Sequence, residues 1–442
     1  TELWLKSAHR LSPTMKDINL KALAEGYTAA LVRELIPYHL TLVDHPPCDQ
    51  KKYRFLTGNH ALALGLVSAA LISQRKLFFG GYPITPASTI LHTLANIQQS
   101  DIITYQAEDE IAAIGAAIGA AYGGHLGAVA TSGPGFTLMT EFISLAVTAE
   151  LPLVVIDVQR AGPSTGMPTK TSQGDLFLAL FGRNDSSPVV VLAAYSPGDC
   201  FDKAYLAAKI AMTRNCVVIV LSDAYLAGSH EVTGVRQAQE LPAISIPPHP
   251  SQHMTPENFW ASQGPYTRDQ KTGSRPWLTP GVVGYEHTIG GLEKTDVTGH
   301  ISYDGDNHQV MMNQRHEKIQ KTQDMLPPLL SDGYPQAQTL VISWGSTYGA
   351  IKHFVRTRRL SCQPEERFFH IHLESLCPLQ KKLPDYLKQR KHILVIESNF
   401  GQATSVLRDH YPEFTFAAIT KNDGKPWSEQ ELKDRLTPYL SP

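Results

Sequence analysis

Five short, almost wholly apolar runs constrain the fold of this chain more than any other feature. They contain few polar positions, so strands formed from them have both faces buried. Stretches with helical apolar spacing separate them, which is the pattern of a parallel sheet covered by helices on both sides. The runs are KLFFGG (76–81), GAVATSG (127–133), LPLVVIDVQ (151–159), PVVVLAAY (188–195) and NCVVIVLSD (215–223). The sequence therefore predicts an α/β domain at residues 57–230.

The rest of the chain differs in character from this domain. Residues 1–56 read as a helical piece followed by a Pro-rich linker, too short for an independent domain. Residues 231–335 are polar and rich in Gly and Pro, and so long a structureless stretch is implausible inside a compact domain. We expect an extended connecting segment that either wraps a partner subunit or forms an extended arm. From residue 336 to residue 442 strand and helix patterns resume, which predicts a second, smaller α/β domain.

Composition excludes several classes of protein. With 39 basic and 41 acidic residues, the chain has no overall field that would attract nucleic acid or an anionic membrane surface. Its five cysteines contain no C-x-x-C pair, so they predict neither a disulfide framework nor an iron–sulfur or zinc site built by this chain alone. No signal peptide or spanning segment is evident, and we expect a cytoplasmic protein. The sequence opens on Thr1 rather than Met, which suggests a missing or processed start.

Common ligand motifs are weak or absent. No G-x-G-x-x-G follows a strand, and GPSTGMPTKT lacks the Gly-Lys-Ser/Thr ending of a phosphate loop. His287, His300 and His308 match no usual metal spacing, so we predict no metal site in this chain. The small-residue stripe at 115–123 has the spacing of a paired membrane helix, but the neighbouring acids and the low apolarity argue against a membrane span.

Four loops come directly after predicted strands, at the edge where open parallel sheets bind ligands. Each by itself is compatible with ordinary turn chemistry, because Gly and Pro occur in loops of any function. One of them places three acids, residues 108–110, ahead of an Ala/Ile/Gly-rich helix. Acids in a first helical turn complement the helix dipole, which explains two of the three. The four loops are GGYPITP (80–86), QAEDE (106–110), TSGPGF (131–136) and VQRAGPSTGMPTKTSQGD (158–175).

These loops carry a resemblance to a known family. Together with GNHALALG (58–65), LEKTDVTGH (292–300) and ESNFGQ (397–402), they resemble the α subunit of 2-oxoacid:ferredoxin oxidoreductases, in particular its 2-oxoglutarate branch. The resemblance covers nearly everything from residue 57 onward. Residues 1–45 resemble the end of the γ domain that some members carry fused in front of the α domain.

The resemblance implies a fold and a cofactor. Residues 57–230 are similar to the pyrimidine-binding domain of thiamine diphosphate enzymes, and residues 336–442 to the C-terminal domain of transketolase. The G-D-G…N motif that holds Mg²⁺ and the diphosphate is not found in this sequence, and neither are cysteines for a [4Fe-4S] cluster. Both groups are therefore expected in a partner β subunit, in an (αβ)₂ assembly that shares the thiamine diphosphate.

The resemblance also implies roles for individual residues. Glu110 matches the carboxylate that hydrogen-bonds N1′ of the cofactor's aminopyrimidine and so promotes removal of the thiazolium C2 proton. Arg160 should pair with the substrate 1-carboxylate, because a guanidinium offers two parallel charged hydrogen bonds. Glu108 and Asp109 are left as capping acids. The remaining implied contacts are Pro83, Ile84 and Thr85 to the cofactor, Thr85 also to the substrate, and Ser164, Thr165 and Lys170 to the substrate's distal carboxylate.

The implied reaction is oxidative decarboxylation of 2-oxoglutarate with coenzyme A, giving succinyl-CoA and CO₂ and reducing ferredoxin, with the reverse direction open. Asn184 departs from the family pattern, where histidine is frequent, and this puts the substrate preference in question. Two alternatives stay open: an oxidoreductase specific for pyruvate or a branched-chain 2-oxoacid, and a non-catalytic scaffold subunit with the same fold.

Overall fold

The computed structural model describes residues 11–32, 52–361, 367–388 and 390–439. The chain divides into two compact units, residues 1–52 and 53–442. The described part of the first unit is one helix, α1 (Pro13–Val32), none of whose residues is buried. Most of the predicted Pro-rich linker, HPPCDQKKYR (45–54), lies outside the described residues, and its last two residues belong to a strand, Tyr53–Thr57. None of the described helices combines the length and apolarity needed to cross a membrane.

The second unit is built around a seven-stranded sheet with the order β12-β6-β7-β5-β4-β2-β3. Strands β2 to β7 run parallel, and β12 joins the edge antiparallel to β6. Their bounds are β2 Leu77–Gly81, β3 Ile102–Gln106, β4 Leu126–Thr131, β5 Leu153–Gln159, β6 Val190–Ala193, β7 Val217–Asp223 and β12 Ser375–Cys377. All five apolar runs form strands of this sheet, which confirms the predicted parallel α/β fold.

Strand β3 has no counterpart among the apolar runs. It lies at the edge of the sheet, and of its five residues only Ile102 is buried. An edge strand packs against one neighbour only, so it does not require the continuous apolar sequence of the central strands.

Helices cover both faces of this sheet. One apolar core contains Leu62, Leu66 and Val220 on one side, and a second contains Ile114, Phe136 and Val155 on the other. The stretch after β4 forms two helices rather than one, because Ser132 and Pro134 begin a short helix over the TSGPGF loop. The helices are α2 Gly58–Ser73, α3 Ser88–Ala95, α4 Glu110–Tyr122, α5 Gly133–Leu138, α6 Thr140–Ala149, α7 Leu176–Phe181, α8 Pro197–Arg214 and α9 Ala224–Gly228.

The C-terminal part forms a five-stranded sheet with the order β14-β13-β10-β11-β9, in which only β9 is antiparallel to its neighbour. Apolar residues from both sheets, including Val191 and Ile342, share one core. The strands are β9 Leu330–Gly333, β10 Thr339–Trp344, β11 Phe368–Leu373, β13 His392–Glu397 and β14 Phe416–Thr420. The helices are α12 Tyr348–Ser361, α13 Leu383–Leu387, α14 Gln402–His410 and α15 Glu429–Leu436.

The connecting segment at 231–335 contains little regular structure but is fixed by buried charged and aromatic side chains. Its regular elements include β8 (His230–Gly234), paired antiparallel with β1 (Tyr53–Thr57), and the helices α10 (Pro256–Ser262) and α11 (Gly305–Gln320). The indole of Trp277 donates a 3.0 Å hydrogen bond to the carbonyl oxygen of Ala121. Buried Glu150, at the end of α6, accepts hydrogen bonds from Arg268 and Lys318 of the segment. The domain bounds drawn from the sequence remain a prediction.

Candidate active site

Four neighbouring strands place their following loops on one edge of the large sheet. Strands β5, β4, β2 and β3 are adjacent and parallel, so their carboxyl ends lie together. The pairing of Gly81 with both Gln106 and Ala130, and of Thr131 with Asp157, shows that the strands end nearly level. The four loops singled out in the sequence therefore share this edge.

Helix α4 begins at this edge and carries Glu110 in its first turn. Asp109 is the N-cap residue, with its side chain accepting a 2.7 Å hydrogen bond from the backbone N–H of Ala112, and Glu108 is exposed. Glu110 is only 6% exposed. No group in the described part of the chain donates a hydrogen bond to its carboxylate. The structure therefore separates one capping acid from a buried acid that has no partner within the described chain.

Gly135 of the TSGPGF loop makes room for this carboxylate. A Cβ atom at position 135 would overlap the side chains of both Glu110 and Thr131. The backbone of α5 thus passes directly over the Glu110 carboxylate, which only glycine allows at this distance. Two of the four loops therefore meet at Glu110.

The other two loops meet through Arg160 and Thr85. The Arg160 side chain is buried, and its Nη1 donates a 2.6 Å hydrogen bond to the carbonyl oxygen of Thr85. Its Nε atom is buried without a hydrogen-bond partner. Thr85 itself is exposed and Ile84 is half-buried, packed against the core, whereas Pro83 is exposed. Arg160 therefore holds the YPITP loop, and its Nε–H group remains available for a further hydrogen bond.

The loop at 161–170 is a closed turn whose tip is open to solvent. Ala161 pairs with Met167 as an isolated β-bridge, and the N–H of Ala161 donates a 3.0 Å hydrogen bond to the carbonyl oxygen of Lys170. Ser164 and Thr165, at the tip, are exposed, and so is Lys170. Within the described residues the structure does not join these three side chains to Glu110 or Arg160. Their assignment to the distal carboxylate remains a prediction.

A pair of acids, Asp157 and Asp175, lies beneath these loops. Asp157 is fully buried in β5 beside Asp175, and both of its carboxylate oxygens, like Oδ2 of Asp175, have no hydrogen-bond partner in the described chain. Burial, together with this neighbouring acid, raises the pKa of Asp157 well above its usual range. Burial raises the pKa of Asp175 to about 6, while its neighbour Asp157 and the positive charge of Arg160 limit the rise. A Cβ atom on Gly133 would lie 2.9 Å from Asp175 Oδ2, so the pair packs against the start of α5.

The ESNFGQ motif of the C-terminal sheet holds the end of the 158–175 loop. The Asn399 side-chain amide donates a 2.8 Å hydrogen bond to the carbonyl oxygen of Gln173. The Gln173 side chain accepts a 2.8 Å hydrogen bond from the N–H of Ser398 and donates a 2.7 Å bond to the carbonyl oxygen of Trp344. Gln402 donates a 2.8 Å bond to the carbonyl oxygen of Gly174. The second α/β region therefore fixes the loop that carries Arg160.

Sequence reasoning missed several residues of this site. The positioning residues Gln173 and Asn399 and the acid Asp157 were not identified. Asp157 did leave a signal, since an acid within an otherwise apolar buried run must find a partner or a proton. In the described part of the chain no group of three or more His, Cys, Asp or Glu side chains could hold a metal ion.

The arrangement fits an aminopyrimidine ring. Buried Glu110 carries a carboxylate that no donor in the described chain occupies, and Gly135 provides space beside it. Such a carboxylate can accept from, or share a proton with, one ring nitrogen. Comparison with known proteins leads to one family of enzymes.

A family model described as "Pyruvate flavodoxin/ferredoxin oxidoreductase, thiamine diP-bdg" matches residues 70–303. The 2-oxoglutarate synthase subunit KorA of Methanothermobacter marburgensis is 30% identical over 350 residues, which cover 79% of this chain and 88% of that protein. The chain belongs to the 2-oxoacid oxidoreductase family. The resemblance seen in the sequence is thereby confirmed, and with it the thiamine-diphosphate-binding fold.

Two further members of the family are similar over nearly the whole chain. The 2-oxoglutarate oxidoreductase subunit KorA of Mycobacterium tuberculosis is 40% identical over 439 residues, covering 98% of this chain. This chain spans only 64% of that relative's length. A solved structure of 2-oxoglutarate:ferredoxin oxidoreductase from Magnetococcus marinus, with 2-oxoglutarate, coenzyme A and succinyl-CoA bound, superposes with a TM-score of 0.82 at 28% identity. That superposition covers 97% of this chain and 72% of the other.

Proposed function

We propose that this chain is the α subunit of a thiamine-diphosphate-dependent oxidoreductase that decarboxylates 2-oxoglutarate. In the proposed reaction coenzyme A takes up the succinyl group, CO₂ leaves, and ferredoxin accepts the electrons; the same site serves the reverse direction. The observation that carries this proposal is the buried Glu110 carboxylate, which lies under Gly135 at the carboxyl edge of the sheet. Support for 2-oxoglutarate comes from the names of the M. tuberculosis and M. marinus proteins.

The residues of this chain have distinct tasks in the proposal. When bound, thiamine diphosphate supplies the carbanion chemistry needed for decarboxylation. Glu110 holds a proton against the pyrimidine nitrogen, while Pro83, Ile84 and Thr85 line the cofactor. Arg160 directs its remaining N–H groups to the substrate's 1-carboxylate and keeps Thr85 in place through the 2.6 Å bond to its carbonyl oxygen. Ser164, Thr165 and Lys170 are proposed for the distal carboxylate.

The proposed partner is a β subunit that supplies the diphosphate and Mg²⁺ site and a [4Fe-4S] cluster, in an (αβ)₂ assembly located in the cytoplasm. Exposed apolar side chains near the candidate site support a covering partner, because such surface normally belongs to an interface. Tyr82 follows β2, Ile111 follows Glu110, and Leu138 ends α5; each is more than a third exposed.

The decisive experiment is 2-oxoacid-dependent reduction of a viologen dye by this chain co-expressed with its β subunit. Turnover with 2-oxoglutarate that requires coenzyme A and thiamine diphosphate is expected. Glu110→Gln should lower turnover by roughly 10²-fold or more, the usual scale for a lost acid–base group. Exposed Glu108 provides the matched control, and Glu108→Gln should retain wild-type turnover.

The possible outcomes separate the alternatives. Activity with pyruvate in place of 2-oxoglutarate would keep Glu110 but contradict the assignment of residues 164–170. Wild-type turnover in a correctly assembled Glu110→Gln complex would refute the role of Glu110. Absence of activity with any 2-oxoacid would favour the scaffold alternative.

A further inference from the structure

A large cleft lies away from the four loops, between the C-terminal end of α8 and the connecting segment. Its volume is about 870 Å³, which is within the range of small-molecule sites. One wall is apolar and contains Ile246, Pro247, Pro248 and Met325. The opposite side carries cationic side chains from α8 and from the segment.

Arg214 is the most unusual of these cations. It is 9% exposed, and its Nε and Nη1 atoms are buried without hydrogen-bond partners. No described carboxylate lies within ion-pair distance of it; Asp269 and Asp324 act on it only at longer range. Arg214 lies in the last turn of α8, where the negative end of the helix dipole offsets part of the positive charge. Two buried guanidinium nitrogens without hydrogen-bond partners are costly, so this position favours an anion.

The other charges around the cleft leave it positive. Within the described chain, neither Lys209 nor Lys271 has an ion-pair or hydrogen-bond partner for its ammonium group. Arg268 is neutralised by Glu150, and Arg275 donates to the carbonyl oxygens of Ala149 and Pro276.

Among the described residues one acid lines the cleft, Asp269, whose carboxylate accepts a 2.7 Å hydrogen bond from the N–H of Thr272. Asp324 lies farther off and is paired with Lys381 at 2.6 Å. The hydroxyl of Thr267, also lining the cleft, is buried without a hydrogen-bond partner. The cleft therefore contains three unpaired cations, Arg214, Lys209 and Lys271, and the unpartnered Thr267 hydroxyl, against the one acid Asp269.

We propose that this cleft binds a phosphate-bearing small molecule. The phosphoryl oxygens lie near Arg214, Lys209 and Lys271, and the organic part of the ligand packs on the proline-lined wall. Phosphate suits this set of donors because it offers several charged oxygens to cations on different elements, whereas one carboxylate would satisfy only one or two. The site is independent of the reaction proposed for the four loops.

Binding of ADP and of pyrophosphate to the purified αβ complex tests this site, with isothermal titration calorimetry as the measurement. Thiamine diphosphate, Mg²⁺ and coenzyme A are kept saturating, so that the diphosphate sites of the proposed reaction are already filled. We expect saturable binding that weakens at least about 10-fold in Lys271→Gln and in Arg214→Gln, a loss on the scale of one charged hydrogen bond. Lys425→Gln, on an exposed loop, is the control and should bind like wild type.

The two ligands distinguish the sources of the phosphate. Tighter binding of ADP supports a nucleotide-like ligand that uses the apolar wall, and equal binding supports a site for the phosphoryl group alone. A second readout is thermal unfolding, in which pyrophosphate should raise the midpoint of the wild-type complex but not that of Arg214→Gln. The proposal is overturned if both ligands bind more weakly than about 1 mM, or if Lys271→Gln and Lys209→Gln, which lie nearer the surface, bind like wild type.

Discussion

The carboxyl groups of Asp157 and Asp175 are neighbours beneath the loop that carries Arg160, and three of their four oxygens are buried without a hydrogen-bond partner in the described chain. Burial disfavours the charged form of each acid, and two neighbouring carboxylates repel each other, so the pair retains a proton at pH values where exposed acids have lost theirs. Asp157 lies three residues before Arg160, Asp175 ends the loop that follows Arg160, and Asp175 packs against Gly133 of α5. Its protonation is therefore coupled to the position of both loops.

This pair should give the folding stability a definite pH dependence. The pKa of Asp175 in the folded chain is about 6, above its ordinary value of 3.8. Its contribution to stability is therefore complete below pH 3.8 and is lost as the pH rises through 6. In Asp175→Asn this loss is absent, so the variant should gain stability relative to wild type between pH 5 and pH 8, by about 1.4 kcal/mol, the equivalent of one pKa unit.

Urea unfolding of both proteins at the two pH values measures this difference. Asp101→Asn, at an exposed position, is the control and should follow the wild-type pH dependence. Parallel pH dependences for wild type and Asp175→Asn would contradict the shared proton.

Gly135→Ala should impair the site without harming the fold elsewhere. The added Cβ overlaps Glu110 and Thr131, so the carboxylate or α5 must move. We expect turnover to fall by roughly 10²-fold, comparable to loss of the acid–base group itself, with weaker retention of thiamine diphosphate. Gly119→Ala is the matched control, because a Cβ there meets nothing within 4 Å. In a helix interior this control should raise stability by up to about 1 kcal/mol. Equal activity of the two variants would show that Gly135 is not needed for space.

Arg160→Lys tests whether the planar guanidinium is required. A lysine keeps the charge but cannot hold the Thr85 carbonyl oxygen and a substrate carboxylate with one rigid group. We expect the KM for the 2-oxoacid to rise by roughly 10-fold or more, the scale of one charged hydrogen bond, while the affinity for thiamine diphosphate changes little. Steady-state kinetics with varied 2-oxoacid, together with cofactor titration, separates the two effects. An unchanged KM would remove Arg160 from the substrate site.

Glu150→Gln should strongly destabilise the attachment of the connecting segment. Glu150 is buried, and ion pairs with Arg268 and Lys318 hold its pKa well below the usual range. The change leaves two buried cations without their carboxylate, which costs about 3–5 kcal/mol. Urea unfolding measures the loss. Asp324→Asn breaks an exposed ion pair with Lys381 and should leave stability nearly unchanged. Similar effects of the two changes would mean that Glu150 does not anchor the segment.

Local sequence determined the main elements of this protein. The five apolar runs became strands of one sheet because each run is continuously apolar, and this local property favours burial of both faces of the strand. Asp109 caps α4 and Glu110 follows it, as expected from acids placed before a helix. The loop motifs also identified the family from the sequence, because each loop directly follows the strand that positions it and its motif can be read locally.

Tertiary structure decided how those loops come together. Arg160 reaches Thr85 across 75 positions of the chain, and Asn399 reaches Gln173 across 226. Edge strand β3 and the acid pair likewise depend on which strands became neighbours. The apolar periodicity of a sequence indicates only whether a residue is buried. These contacts depend instead on which strands become neighbours and on which distant residues are buried together. The sequence thus determined which elements form, and the packing of those elements decided which polar groups meet.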